Sequence, residues 1–260
     1  MEKKTETSNP WEGIRAMAEN KDIKEYIADC DKEVINKLSP ERRNLLELNY
    51  LPQPYMGDPD KAEIFLLNGN PDAKPQEELN PEIAPHSVFN EEYKDIILNS
   101  LEHKLTDYPL YALNGGLNNS LKLPYKKHYI HSWWYECLHR LSQDGVTLKT
   151  VSEKIFVAEY FPYFSRNLND TNGIKLESQE YTFSLIEKAI DAGKMIVFMR
   201  GAWCNRIKGL KDYFEEKKYE DADGKYSRGS KLRNNQRIRI TSANNMTPPE
   251  NFKRILRLLK

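Results

Sequence analysis

The 260-residue chain has no apolar run approaching the roughly 20 residues that a helix needs to cross a bilayer. It opens on MEKKTETSNPWEG, without the apolar stretch of a secretory leader. Cysteine is scarce: Cys30, Cys137 and Cys204 are an odd and scattered set. They exclude a disulfide framework and read as reduced thiols of a cytoplasmic protein. A dominant charge is missing too, since 39 Lys and Arg meet 39 Asp and Glu. That balance excludes a uniformly basic nucleic-acid coat and an acidic, self-repelling disordered chain. No internal repeat or low-complexity tract is present.

What is present supports a sizeable core. The chain is 39% hydrophobic, with 4 Trp, 15 Tyr and 9 Phe, and its length suits one large domain. The charge is also polarised. Residues 225–260 hold ten basic side chains and one acidic, Glu250, and the remainder carries the compensating negative charge. A basic end on an acidic body suits an anionic partner on one face, although a solvated Lys- and Arg-rich surface explains the same numbers.

Periodicity divides the chain into an N-terminal helical segment, 1–50, and one α/β domain over 51–260 with an irregular or helical insert at about 75–150. DIKEYIADCDKEVINKL places apolar residues near helical spacing, and Ser39-Pro40-Glu41 opens another helix. LPQPYMGDPD carries three prolines and is expected to exclude regular structure. Apolar runs at 64–67 and 155–161, and KMIVFMRGAW, read as strands, with RIRITSA as the last. SQEYTFSLIEKAIDAG reads as a helix with a Ser cap and a glycine stop, and TPPENFKRILRLLK as a closing helix. Strands alternating with helices predict a three-layer α/β/α sandwich around a central, mainly parallel four-stranded sheet.

Ligands of open parallel sheets bind beyond the carboxyl ends of the strands. Four segments occupy such ends: Asn68-Gly69-Asn70-Pro71, Glu159-Tyr160-Phe161-Pro162, Arg200-Gly201-Ala202-Trp203 and Ser242-Ala243-Asn244-Asn245-Met246. In this order they resemble the motifs of the uracil-DNA glycosylase-like superfamily. FLLNGNPDA is similar to its first motif, and Asn70-Pro71 matches the Asn-Pro of the mismatch-specific type. ITSANNMTPPENF resembles the second motif, a strand ending in His-Pro-Ser or Asn-Pro-Ser. The likeness covers roughly 51–75 and 150–260.

The resemblance implies an enzyme that flips a damaged or modified base out of DNA and hydrolyses its N-glycosidic bond. It assigns catalysis to Asn70 with Asn244 or Asn245, and a base pocket to Gly69, Pro71, Asp72, Glu159, Tyr160 and Arg200. DNA contact falls to Lys231, Arg233 and Arg237, with Met246 as a wedge between bases. Asn70 can orient a water but, unlike Asp, cannot take its proton. Glu159 stands where efficient uracil enzymes carry an Asn; a carboxylate suits an amino group or ring N–H of a base. Asp72 replaces the Tyr that in those enzymes bars bulkier bases.

Neither a metal nor another cofactor is expected. The cysteines are too few and badly spaced for an iron–sulfur cluster, and His128 and His131 lack a third ligand. The expected partner is DNA, with no membrane, and the expected state a monomer. The alternative is a catalytically weak or inactive nucleic-acid or nucleotide binder of the same fold. A plainer reading makes Asn70-Pro71 a common turn and pairs Glu159 with Arg166 or Arg200 in a structural ion pair.

Overall fold

The apolar runs become the inner strands of a sheet. The computed structural model describes residues 8–71, 91–104, 107–114, 134–135, 137–165, 167–199, 203, 237–239 and 249–260. The strands are β1 (Leu46–Glu47), β2 (Tyr55–Met56), β3 (Ile64–Asn68), β4 (Ile155–Glu159), β5 (Phe164–Ser165), β6 (Met195–Phe198) and β7 (Arg237–Arg239). The helices are α1 (Ile14–Glu19), α2 (Lys32–Asn36), α3 (Pro40–Arg43), α4 (Glu91–Leu101), α5 (Leu148–Lys154), α6 (Ser178–Asp191) and α7 (Pro249–Leu259).

Five strands form the main sheet in the order β2-β4-β3-β6-β7. β4, β3, β6 and β7 are parallel neighbours, and β2 runs antiparallel along β4. Every residue of β4 and β6 is buried, as is Ile64–Leu67 of β3, the pattern of strands covered on both faces. The α/β class therefore stands, with a small mixed sheet of five strands. From β3 the chain reaches β4 on one side, and then, through α6, β6 on the other side of β3. The carboxyl end of β3 is thus where the winding direction reverses, the place where such sheets open a crevice.

Four expectations are corrected. The proline-rich 51–60 segment contains β2, which a sheet edge tolerates because prolines 52 and 54 precede the strand and spare its ladder. Residues 22–28 are not helical; Tyr26, Ile27 and Ala28 are buried in an extended run, with the Tyr26 amide donating to Leu48 O at 2.8 Å and the Ala28 amide to the Tyr163 hydroxyl at 3.0 Å. Helical structure there begins only at Asp29. Strand β4 stops at Glu159 because the next amides, of Tyr160 and Phe161, turn to Asn68 O and Gly69 O. Ser178 does not cap α6; it is the first helical residue, and its hydroxyl donates to Asp31.

Other ends follow their local chemistry. Ser39 accepts the Arg42 amide ahead of Pro40 at the first position of α3, and Thr147 accepts the Thr150 amide at the start of α5. Gly193, at φ +78°, ends α6. One continuous core joins the sheet to the N-terminal stretch through Trp11, Ile14, Tyr26, Ile27 and Ile35. Among the described residues no helix is long and apolar enough to cross a membrane.

Candidate functional site

β3 and β4 lie in parallel register, so Asn68 stands beside Glu159. The two side chains meet, the Asn68 amide donating to Glu159 Oε1 at 3.1 Å. Glu159 is 4% exposed, and a carboxylate this deep needs such donors to offset lost hydration. The Asn68 carbonyl accepts twice, from the Trp203 indole at 2.5 Å and the Tyr160 amide at 3.3 Å. Trp203, which follows β6, is thereby tied to the end of β3.

Three rings meet over this junction. Trp203 stands edge-on to Tyr160 and to Phe183 of α6, with centroids 5.8 and 5.5 Å apart, and Tyr160 lies 5.7 Å from Phe183. Trp203 is buried and Tyr160 half-buried, so Tyr160 is the ring with an accessible part. Gln179, buried in the first turn of α6, holds the Tyr160 carbonyl at 2.6 Å and accepts the Leu176 amide at 2.9 Å.

Two residues past Asn68, the half-buried Asn70 is held by its side-chain nitrogen. That nitrogen donates to Pro71 O at 2.9 Å, Ser165 Oγ at 2.8 Å and Ser165 O at 3.3 Å. Carbonyl oxygens only accept, so the amide orientation is decided by its neighbours. Ser165 is fully buried in β5, which pairs with β1, and its own hydroxyl donates to Asn167 O at 3.0 Å. Asn70 Oδ1 takes no hydrogen bond among the described residues and is left as an acceptor.

Of the residues expected from sequence, Gly69, Asn70, Pro71, Glu159 and Tyr160 gather at two adjacent strand ends. Arg237 lies in β7, opposite Ile196 of β6. Asp72, Arg200, Lys231, Arg233, Asn244, Asn245 and Met246 lie outside the described residues, as do Arg166, His128 and His131. Sequence reasoning named Asn68 within a strand-end segment without giving it a role, and passed over Ser165, Gln179 and Phe183. Asn68 had a signal, since it ends an apolar run; the other three act through contacts distant in sequence. Trp134, Phe161, Tyr163 and Phe164 are core. Among the described residues no group of three or more His, Cys, Asp or Glu is placed to hold a metal ion.

Two further polar clusters lie elsewhere. Asp31, fully buried, accepts from the Tyr163 hydroxyl at 2.7 Å and from the Ser178 hydroxyl and amide at 2.6 and 3.0 Å. His103 stacks on Tyr55 with ring centroids 4.9 Å apart, and its Nε2 lies 2.8 Å from the Tyr181 hydroxyl.

No protein-family model, curated protein or solved structure matches the chain.

Proposed function

We propose that the protein is a DNA glycosylase-like hydrolase that binds a flipped base at the carboxyl ends of β3, β4 and β6 and cleaves its N-glycosidic bond. The observation that carries the reading is the set Asn68, Glu159 and Asn70, gathered where the sheet reverses its winding direction. Breaking this bond leaves an oxocarbenium-like sugar and a base that gathers negative charge. Asn70 Oδ1 holds the attacking water by one of its protons. Tyr160, braced by Trp203 and Phe183, supplies a face on which a base stacks. Glu159 beside Asn68 favours a base that presents an amino group or ring N–H over one presenting only carbonyls.

The same reading completes the site with Arg200 and Asn244 or Asn245, and the sheet with layers of helix on both faces. It places DNA along Lys231, Arg233 and Arg237, with Met246 as the wedge. It takes the protein as a cytoplasmic monomer that works without a cofactor. The second reading, a binder with little or no turnover, is favoured by Asn70 itself, which cannot accept the water's proton as a carboxylate does.

Oligonucleotides carrying uracil, hypoxanthine, xanthine or a mismatch, assayed for abasic sites, test the first reading. Cleavage of at least one, cut to a small residual rate in Asn70→Ala with DNA affinity retained, is the expected result. DNA binding without any cleavage selects the binder, and neither binding at low salt nor cleavage overturns both.

A further inference from the structure

The cradle around Asn70 is built for an amide. Its nitrogen faces two carbonyl oxygens, Pro71 O and Ser165 O, and a hydroxyl oxygen whose proton is already committed to Asn167 O. The two carbonyls can only accept, and the hydroxyl accepts as long as its proton stays on Asn167 O. A carboxylate at this position would point an oxygen at two carbonyl oxygens 2.9 and 3.3 Å away with no proton between them, and could be met by Ser165 only if its hydroxyl gave up Asn167 O. Ser165 is locked in turn. It is fully buried, its amide donates to Pro71 O at 3.4 Å, and β5 is paired to β1 at Leu46.

We infer that Ser165 is a positioning residue that fixes the Asn70 amide with its carbonyl oxygen outward, so that the site is constructed around Asn and against Asp. This inference rests on the glycosylase reading for its consequence in turnover, but not for the geometry. Asn70 then is not a carboxylate lost from a better catalyst. The surroundings would tilt or expel an Asp and misplace the water it held.

A double-mutant cycle over Ser165→Ala and Asn70→Ala, read in abasic-site formation, tests the coupling. Ser165→Ala alone is expected to lower kcat by about tenfold or more with KM nearly unchanged, the scale of a misplaced reacting group. In the Asn70→Ala background the same change should do nothing further, because its effect runs through Asn70. Ser165→Cys, which keeps a weak acceptor, should recover part of the rate. Asn70→Asp should be slower than the wild type despite its carboxylate. Additive losses in the cycle, or a faster Asn70→Asp enzyme, overturn the inference.

If the wild-type protein shows no turnover, the glycosylase reading falls while the cradle is still measurable. The side-chain amide protons of Asn70 should then exchange slowly with solvent in NMR spectra, and faster in Ser165→Ala. Equal exchange in the two proteins overturns the inference on its own.

Discussion

A buried carboxylate is stabilising only while its donors stay in place, and Asp31 shows how one is kept. It sits at the amino end of α6, where the Ser178 amide and the helix dipole both favour negative charge. The Tyr163 and Ser178 hydroxyls complete the shell. Removing the carboxylate strands two buried hydroxyls and an amide. Asp31→Ala should therefore cost about 3 kcal/mol in a urea melt, and Asp31→Asn less, because one acceptor oxygen survives. A loss within about 0.5 kcal/mol, as for an ordinary surface change, would contradict this account. The adjacent Cys30 thiol is pushed up to about 12, by burial first and then by the charges of Asp31 and Glu177. Near neutral pH it should resist alkylation in the native protein and react once the chain is unfolded. Peptide mapping after iodoacetamide treatment checks this.

His103 makes the opposite choice of charge state. Burial lowers its pKa from the ordinary 6.5, against a weaker upward pull from Asp60 and Asp58. The folded protein thus prefers the neutral ring, and the unfolded chain binds the proton first as pH falls. Stability from this group is complete above pH 6.5 and drains away below it. His103 also holds φ at +54°, a region that Asn tolerates. His103→Asn should therefore keep the backbone while flattening the stability loss as pH falls below 6.5. An unchanged slope in thermal melts across that range would remove His103 from the account.

At the scale of elements, the edge strand β2 depends on a glycine. Gly57 follows β2 at φ +109°, and a Cβ there would lie 2.6 Å from Ile155 O and 3.1 Å from Phe156 Cα. Both atoms are backbone of β4, so neither can swing aside. Gly57→Ala should cost about 3 kcal/mol through strain and lost β2–β4 pairing. Gly193→Ala, also at positive φ but facing open space, should cost about 1 kcal/mol. Equal midpoints for the two variants in denaturant would refute the close approach. The inner strands were legible because burial on both faces leaves an unbroken apolar run. β2 was not, because its two residues are ordered by their partner and by Gly57. The 22–28 segment misled for a related reason: Tyr26, Ile27 and Ala28 are apolar because an extended run is buried, and this imitates one helical face. Ser178 likewise resembled a cap because the acid it serves lies 147 residues away.

On the scale of the whole molecule, strand ends and charge part company. The expected site lay at strand carboxyl ends, a rule that needs only strand order along the chain; the register of Asn68 with Glu159 and the hold of Ser165 on Asn70 required the folded sheet. Of the basic residues in 225–260, those at the end of the chain lie on and just after α7. α7 buries Ile255, Leu256 and Leu259 and exposes Lys253 and Arg257, with Lys260 exposed just past its end. Its last turn is fixed by Lys154, whose ammonium donates to Leu258 O at 2.9 Å. Lys154 immediately precedes β4, so this turn sits at the amino end of the strand, while Glu159 marks the other end five residues on. At about 3.3 Å per residue the two ends are about 16 Å apart, longer than the Debye length of about 8 Å at physiological salt. Charges there are too far from the strand-end site to grip a phosphate beside it. DNA binding followed by fluorescence anisotropy against salt should separate the two groups of cations. Lys231→Ala and Arg233→Ala should each lower the slope of log K against log salt by about 1, the loss of one phosphate contact. Arg257→Ala and Lys260→Ala should leave that slope unchanged. The reverse pattern would move the DNA to the far end of the sheet and away from Asn70 and Glu159.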